Sequence, residues 1–217
     1  MLATAIIVFR EVLEAALIVG IVLAASRGVP RRGAWIAGGA AAGIAGAIVV
    51  AACAETIAVA VAGIGAELFD AAILFAAVTM LGWHNIWMSR HGRELAASAD
   101  RLGAAVRAGT QPLWALAIAV GIAVLREGSE VVLFLYGIAI AGEDSAPAMA
   151  LGGALGLAAG AASGMALYLG LARIPLRHLF AVTSWLVLLL AAGLASQGAA
   201  FLLQANMLSS VVGIVWY

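Results

Sequence analysis

The amino-acid sequence predicts an all-α fold, a polytopic membrane helix bundle of six spans arranged as two inverted-topology three-helix repeats. Three observations carry that expectation. The 217 residues are 65% hydrophobic and only 10% charged, with a mean hydropathy of +1.14, whereas a soluble domain is nearer half apolar and a quarter charged. The apolar residues fall in long runs separated by short polar stretches. Nine of the eleven arginines fall in alternate stretches between those runs, the pattern that sets orientation in a membrane. At about 20 apolar residues per crossing, the chain has room for six or seven helices and none for a soluble domain. Residues 1–217 are therefore expected to form one integral membrane domain. Repeat one covers about 1–90, a cytoplasmic loop about 89–111, and repeat two about 112–206.

Span one covers about 2–25, and Arg10, Glu11 and Glu14 interrupt its apolar run, which argues against a cleavable signal. Span two, about 34–61, carries a row of small residues at Gly39, Gly43 and Ala47. Span three, about 66–88, opens on Glu67 and Asp70 and holds His84 toward its inner end. For His84 a hydrogen-bonded interfacial histidine is the plainer reading, and a position on the exit path of an ion is the alternative. Span four, about 112–140, carries Arg126, Glu127 and Glu130. Span five, about 148–172, has glycine at 152, 156, 160 and 164, one helix face throughout. Small residues at this spacing let helix backbones approach closely in lipid, and here they are expected to bring spans one and four together. Span six covers about 179–204, and its polar residues include Ser196 and Gln197, which could face the path. The tail Met207–Tyr217 is apolar but too short to cross, and reads as the start of a further helix.

Nine of the eleven arginines fall in alternate inter-span stretches: Arg27, Arg31 and Arg32; Arg90, Arg93, Arg101 and Arg107; Arg173 and Arg177. That side is the cytoplasmic one, and the N-terminus is outside. The outer side is acidic, with Glu55, Glu67, Asp70, Glu143 and Asp144. Glu143 and Asp144 read as ordinary solvated loop charge. Glu67 and Asp70 look like an outer site that recruits cations, although acids in a first helical turn also complement the helix dipole.

The remaining two arginines sit in Arg10-Glu11-Val12-Leu13-Glu14 and Arg126-Glu127-Gly128-Ser129-Glu130. Charges at bilayer depth cost roughly 2.5–3.5 kcal/mol each on insertion scales. Residues three and four apart share a helix face, so each motif presents one guanidinium and two carboxylates together, with net charge −1. Two facing motifs supply four carboxylates, and carboxylate oxygens suit hard cations. Glu11, Glu14, Glu127 and Glu130 are the candidate metal ligands, and Arg10 and Arg126 hold them in place. A structural salt bridge would need only one carboxylate per arginine. Span one runs outside to inside and span four the reverse, as in transporters whose site lies where inverted repeats meet.

Other chemistries are absent from the sequence. There is no lysine for a Walker-type loop, and the single cysteine, Cys53, permits no internal disulfide or cysteine cluster. No His-Glu-x-x-His or Gly-x-Ser-x-Gly occurs. No enzymatic activity, cofactor or nucleic-acid partner is expected. A transporter of another cation (lead, another divalent metal or protons) is the competing reading, and a structural subunit of a membrane complex is a remote one.

The paired Arg-Glu-x-x-Glu motifs on apolar helices resemble those of the oxidase-dependent iron permeases, which include fungal high-affinity permeases, bacterial EfeU-like transporters and members assigned to lead. Val124–Leu135 carries the closest likeness, and Glu67-Leu68-Phe69-Asp70 resembles the family's acidic motif, with Asp70 where glutamate is usual. The resemblance implies iron, ferric or ferrous, moved into the cytoplasm across a bacterial inner membrane as transported substrate. It carries over Glu11, Glu14, Glu127 and Glu130 as iron ligands. It also implies an extracytoplasmic oxidase, peroxidase-like or iron-binding partner, and leaves a homo-oligomer open. The family usually has a seventh helix, which this chain does not complete before Tyr217.

Overall fold

Long uninterrupted runs of alanine, leucine, isoleucine and valine leave the backbone one way to satisfy its own polar groups in lipid, the α-helix. Among its described residues the computed structural model has six of them: α1 (Leu2–Ala25), α2 (Arg32–Val61), α3 (Ala66–Arg107), α4 (Trp114–Ala141), α5 (Ala146–Tyr168) and α6 (Leu176–Gln204). It describes residues 1–61, 66–142, 145–170, 176–205 and 207, and no strand occurs among them. Glu143, Asp144, Arg173, the side chain of Arg177 and the tail beyond Met207 lie outside the described residues.

The helix ends follow from local chemistry. After α1 the chain turns through Gly28 at φ 87°, a conformation that side chains with a Cβ disfavour. Ser26 Oγ donates to the Val22 carbonyl and Arg32 Nη1 to that of Leu23, each at 2.6 Å, so two carbonyls at the end of α1 are capped. Gly142, at φ 68°, closes α4, and Pro147 starts α5 where a missing N–H costs nothing.

Stretches within α2, α3, α5 and α6 are long and apolar enough to cross a membrane. α1 and α4 match them in length, at 24 and 28 residues, but each carries an arginine and two glutamates in its middle. The outward faces are apolar, with Trp83 71% and Trp185 70% exposed. Such a surface suits hydrocarbon rather than water.

One expectation needs correction. The stretch about 89–111 is not a loop over most of its length, because α3 continues to Arg107 as a single helix of 42 residues. At 1.5 Å per residue that is roughly 63 Å, about twice the hydrocarbon thickness. The charges Arg90, Arg93, Glu94, Asp100, Arg101 and Arg107 end the apolar pattern but not the helix. Arginine, glutamate and alanine are good helix formers in water.

The small-residue rows also act differently from the expectation. They do not join α1 to α4; each buttresses one of them from behind. In α5, a Cβ on Gly156 would lie 2.5 Å from the Ala5 carbonyl oxygen and 2.9 Å from the Phe9 nitrogen, and one on Gly160 2.9 Å from the Phe9 carbonyl oxygen, all in α1. In α2, a Cβ on Gly43 would lie 2.6 Å from the Gly121 carbonyl oxygen of α4. α1 thus packs on α5, α2 on α4, and α3 on α6. α1 and α4 also touch each other and α3 along their other faces.

Two apolar clusters flank the level of the charged motifs. One joins Ile7, Leu74, Ala77, Leu81, Phe134, Ile138, Val187, Ala191 and Leu194 from α1, α3, α4 and α6. The other joins Val22, Ile36, Ala99, Val106, Leu116 and Val120 at the opposite end.

The backbone contact makes a direct test. Gly156→Ala is expected to lower the thermal unfolding midpoint of the detergent-solubilised protein, at a cost of about 1–3 kcal/mol for overpacking. Gly153→Ala, where nothing lies within 4 Å of the added carbon, should leave the midpoint where it was. Equal midpoints for the two variants would contradict the close α1–α5 approach.

Candidate metal site

The motif spacing puts Arg10, Glu11 and Glu14 on the face of α1 that turns away from α5, and all three are buried. α4 presents Glu127 and Glu130, also buried, from the opposite direction. α3 contributes His84, only 3% exposed. The structure therefore brings the two motifs together, and it adds a histidine between them.

His84 is the centre of the arrangement. Its Nε2 lies 3.1 Å from Glu14 Oε2 and 4.0 Å from Glu11 Oε2, both on α1. Its Nδ1 lies 2.5 Å from Glu130 Oε2 on α4. One imidazole thus joins the last glutamate of each motif, and only a ring protonated at both nitrogens donates to both. Each of those glutamates is also held by the arginine one turn earlier. Arg10 Nε donates to Glu14 Oε1 at 3.0 Å, and Arg126 Nε donates to Glu130 Oε1 at 3.2 Å.

The first glutamate of each motif is held far less. Both oxygens of Glu11 and Oε2 of Glu127 are buried without a hydrogen-bond partner among the described residues. Carboxylate oxygens in that state are costly unless something else meets them. Glu11, His84, Glu127 and Glu130 each offer one ligand atom, and these atoms all lie within 4.8 Å of one another. That span fits groups arranged around one ion, since hard cations bind oxygen at roughly 2.0–2.6 Å. Three carboxylates with one imidazole are a donor set for a first-row divalent metal.

Glu14, expected among the ligands, is not in that converging set. Arg10 and His84 each engage one of its oxygens. The two arginines are not equivalent either. The Arg10 side chain is 2% exposed, whereas that of Arg126 is 36% exposed and lies 4.5 Å above the Trp87 ring. Trp87 in turn stacks on His91.

Glu67 and Asp70 do not join the central site. They begin α3, Glu67 exposed and Asp70 half-buried, and Asp70 lies roughly 21 Å along the helix from His84. Asp70 feels the charge of Glu67, and Tyr136 feels those of Asp70 and Glu55. Tyr136 therefore lies nearer the acids at the start of α3 and at Glu55 than the second motif. The sequence places His84 toward the inner end of span three, as a hydrogen-bonded interfacial histidine or on an ion's exit path; it is instead buried between the two motifs. The signal available was a histidine in an apolar helix, next to Asn85.

The profile of the iron permease FTR1 family matches residues 1–211. The chain belongs to the FTR1 iron permease family. Among curated relatives of this family member, the ferrous iron permease EfeU of Shigella flexneri serotype 5b (strain 8401) is 37% identical over 131 residues, 60% of this chain and 55% of the relative. The ferrous iron permease EfeU of Escherichia coli O157:H7 is also 37% identical over 131 residues, 60% of this chain and 47% of that protein. The matched region thus spans about half the length of these curated relatives. No solved structure matches the chain.

The unequal burial of the arginines predicts unequal costs. Arg10→Met leaves Glu14 buried with one partner fewer and is expected to destabilise the solubilised protein by about 3–5 kcal/mol, the range for breaking a buried ion pair. Arg126→Met should lower the unfolding midpoint distinctly less. A larger drop for Arg126→Met than for Arg10→Met would be incompatible with the geometry.

Proposed function

We propose that this chain is a bacterial inner-membrane permease that moves iron into the cytoplasm, binding it midway across the membrane between α1 and α4. The observation that carries this reading is the convergence of Glu11, His84, Glu127 and Glu130, two of which, Glu11 and Glu127, carry buried oxygens without a hydrogen-bond partner among the described residues. Glu11, Glu127 and Glu130 bind the ion together with His84. Glu14 exchanges its hydrogen bond to His84 for the metal when the ring turns, so all four motif glutamates serve the cargo in sequence. Arg10 and Arg126 orient the carboxylates and offset their mutual repulsion while the site is empty.

The packing supports an inverted three-plus-three repeat with six crossings. An exchange of α1 with α4, α2 with α5 and α3 with α6 turns the α1–α5 contact into the α4–α2 contact and maps the α3–α6 contact onto itself. The arginine distribution supports an outer N-terminus. Glu67 and Asp70, on the outer side in that orientation, concentrate cations before they reach the site. An extracytoplasmic oxidase, peroxidase-like or iron-binding protein would supply the ion there, to one copy of the chain or to a homo-oligomer.

Charge counting favours the ferrous ion. With all four glutamates ionised, two guanidiniums and a doubly protonated His84, the site carries −1. A divalent ion that displaces one imidazole proton brings the sum to zero, whereas a trivalent ion leaves +1 in a poorly polarisable interior. The names of the EfeU relatives agree with this choice. The donor set alone does not separate iron from other divalent metals, so lead or manganese on the same scaffold is the second reading.

Radiolabelled iron uptake into proteoliposomes tests the proposal. Glu11→Gln and Glu127→Gln should each lower uptake at least about tenfold, the scale on which a metal site responds even to outer-shell changes. Glu67→Gln with Asp70→Asn should raise KM and leave the maximal rate within about twofold. Uptake that survives Glu11→Gln, or a vesicle that takes up lead or manganese but excludes iron, would overturn the assignment. Metal loading should also acidify a weakly buffered solution of the purified permease.

A further inference from the structure

The site is not equally enclosed at its two ends. A cavity of about 770 Å³ runs between α1, α3 and α6, and Arg10 and Glu14 form part of its wall. Asn85, Ser89 and Arg93 of α3 and Ser184 of α6 also line it. From the level of Arg10 and Glu14 the lining continues to Ile21 of α1, from Asn85 to Ala96 of α3 and from Phe180 to Leu188 of α6. The cavity therefore lies between the site and the end of the molecule that carries Arg27, Arg31 and Arg32. At the other end, Ile7, Leu74, Phe134 and Ile138 close over the site, with exposures between 0% and 2%. That layer draws on α1, α3 and α4, and α6 completes it through Val187 and Leu194.

We propose that the structure is the inward-open state of the transport cycle, with this cavity as the release vestibule and the Ile7–Leu74–Phe134–Ile138 layer as the closed outer gate. This rests on the transport reading and on the arginine-based orientation. Glu14 is the last carboxylate an ion meets before the vestibule, because it is the motif glutamate in the cavity wall. The polar groups that follow it, Asn85, Ser89 and Ser184, are neutral and can replace only part of a hydration shell. Among the described residues the one further charge in the lining is Arg93, which repels a cation. A wall whose described residues hold no carboxylate beyond Glu14 does not retain a metal ion, which suits release rather than storage. The outer side carries the reverse arrangement, with Glu67 and Asp70 at the start of α3 and an apolar layer behind them. Transit then requires the outer layer to part while the α1–α3–α6 vestibule closes, an exchange between two discrete packings.

Thiol accessibility tests this. In a Cys53→Ser background, Ser184→Cys and, separately, Ser89→Cys and Ala77→Cys are reconstituted without metal. A membrane-impermeant, charged methanethiosulfonate is then added to one face at a time. The expected result is rapid modification at positions 184 and 89 from the cytoplasmic face alone, at least about tenfold faster than from the outer face. Ala77→Cys, in the sealed layer, should stay unmodified from either face. Modified Ser184→Cys should lose uptake while ferrous iron binding to the purified protein stays within about twofold. Modification at 184 from the outer face, or reaction only with a lipid-soluble maleimide, would overturn the vestibule. So would faster labelling at 77 from outside than at 184 from inside. The two readings fail separately: absent ferrous iron binding to unmodified protein removes the cargo assignment, whereas the labelling pattern reports on the cavity whatever the cargo is.

Discussion

The structure depends on keeping four glutamates within reach of one imidazole in a place where water cannot screen them. Two like charges about 5 Å apart repel by roughly 3 kcal/mol at an effective dielectric constant of 20, and more where the interior is drier. Left to themselves, α1 and α4 would turn those carboxylates apart. Three cationic groups oppose that: Arg10 on Glu14, Arg126 on Glu130, and His84 on both. The rest of the fold makes the alternative arrangement costly. α5 and α2 press their glycine faces against the backs of α1 and α4, so neither motif helix can rotate without driving backbone into backbone. The small-residue rows and the charged motifs are two halves of one device, the first supplying rigidity and the second the stored negative charge.

Much of this was legible in the residues. The helix boundaries, apart from the end of α3, followed from apolar run length, because the change from apolar to polar composition is local. The meeting of the motifs followed from depth: Arg10 and Glu130 lie at similar distances from one end of their helices. Three features were not legible, each because it depends on partners distant in the chain. A lone His84 has no spacing signature, so nothing in α3 says that it stands between two other helices. The continuation of α3 past Met88 was hidden because charge marks the end of hydrocarbon, not the end of hydrogen bonding. The displacement of Glu14 from the converging set is a matter of rotamers, since Glu11 and Glu14 share a face and composition cannot rank them.

The pseudo-equivalence of the motifs is broken where function needs direction. Arg10 is sealed against its glutamate, whereas Arg126 is partly exposed and rests on Trp87. A guanidinium over an indole face keeps a favourable interaction while its carboxylate partner is occupied elsewhere. Arg126 can therefore loosen from Glu130 at small cost when a cation arrives, and Arg10 cannot loosen from Glu14 so cheaply. The α1 side of the site is the fixed wall and the α4 side the adaptable one.

That difference, set beside the distribution of charge along the membrane normal, gives a reason for one-way movement under the proposed orientation. On the proposed reading, acids at the outer end of α3 raise the local cation concentration, the central carboxylates bind, and the vestibule beyond Glu14 offers Arg93 in place of another acid. An inside-negative membrane potential adds about 2.3 kcal/mol per elementary charge per 100 mV over the full crossing, and a divalent ion feels twice that. A binding step strong enough to strip water from the ion would trap it if the exit were also acidic. The exit is instead neutral and basic, so rehydration in the vestibule competes only with the central ligands, and the re-formed His84 bridge between Glu14 and Glu130 takes the place of the ion that leaves.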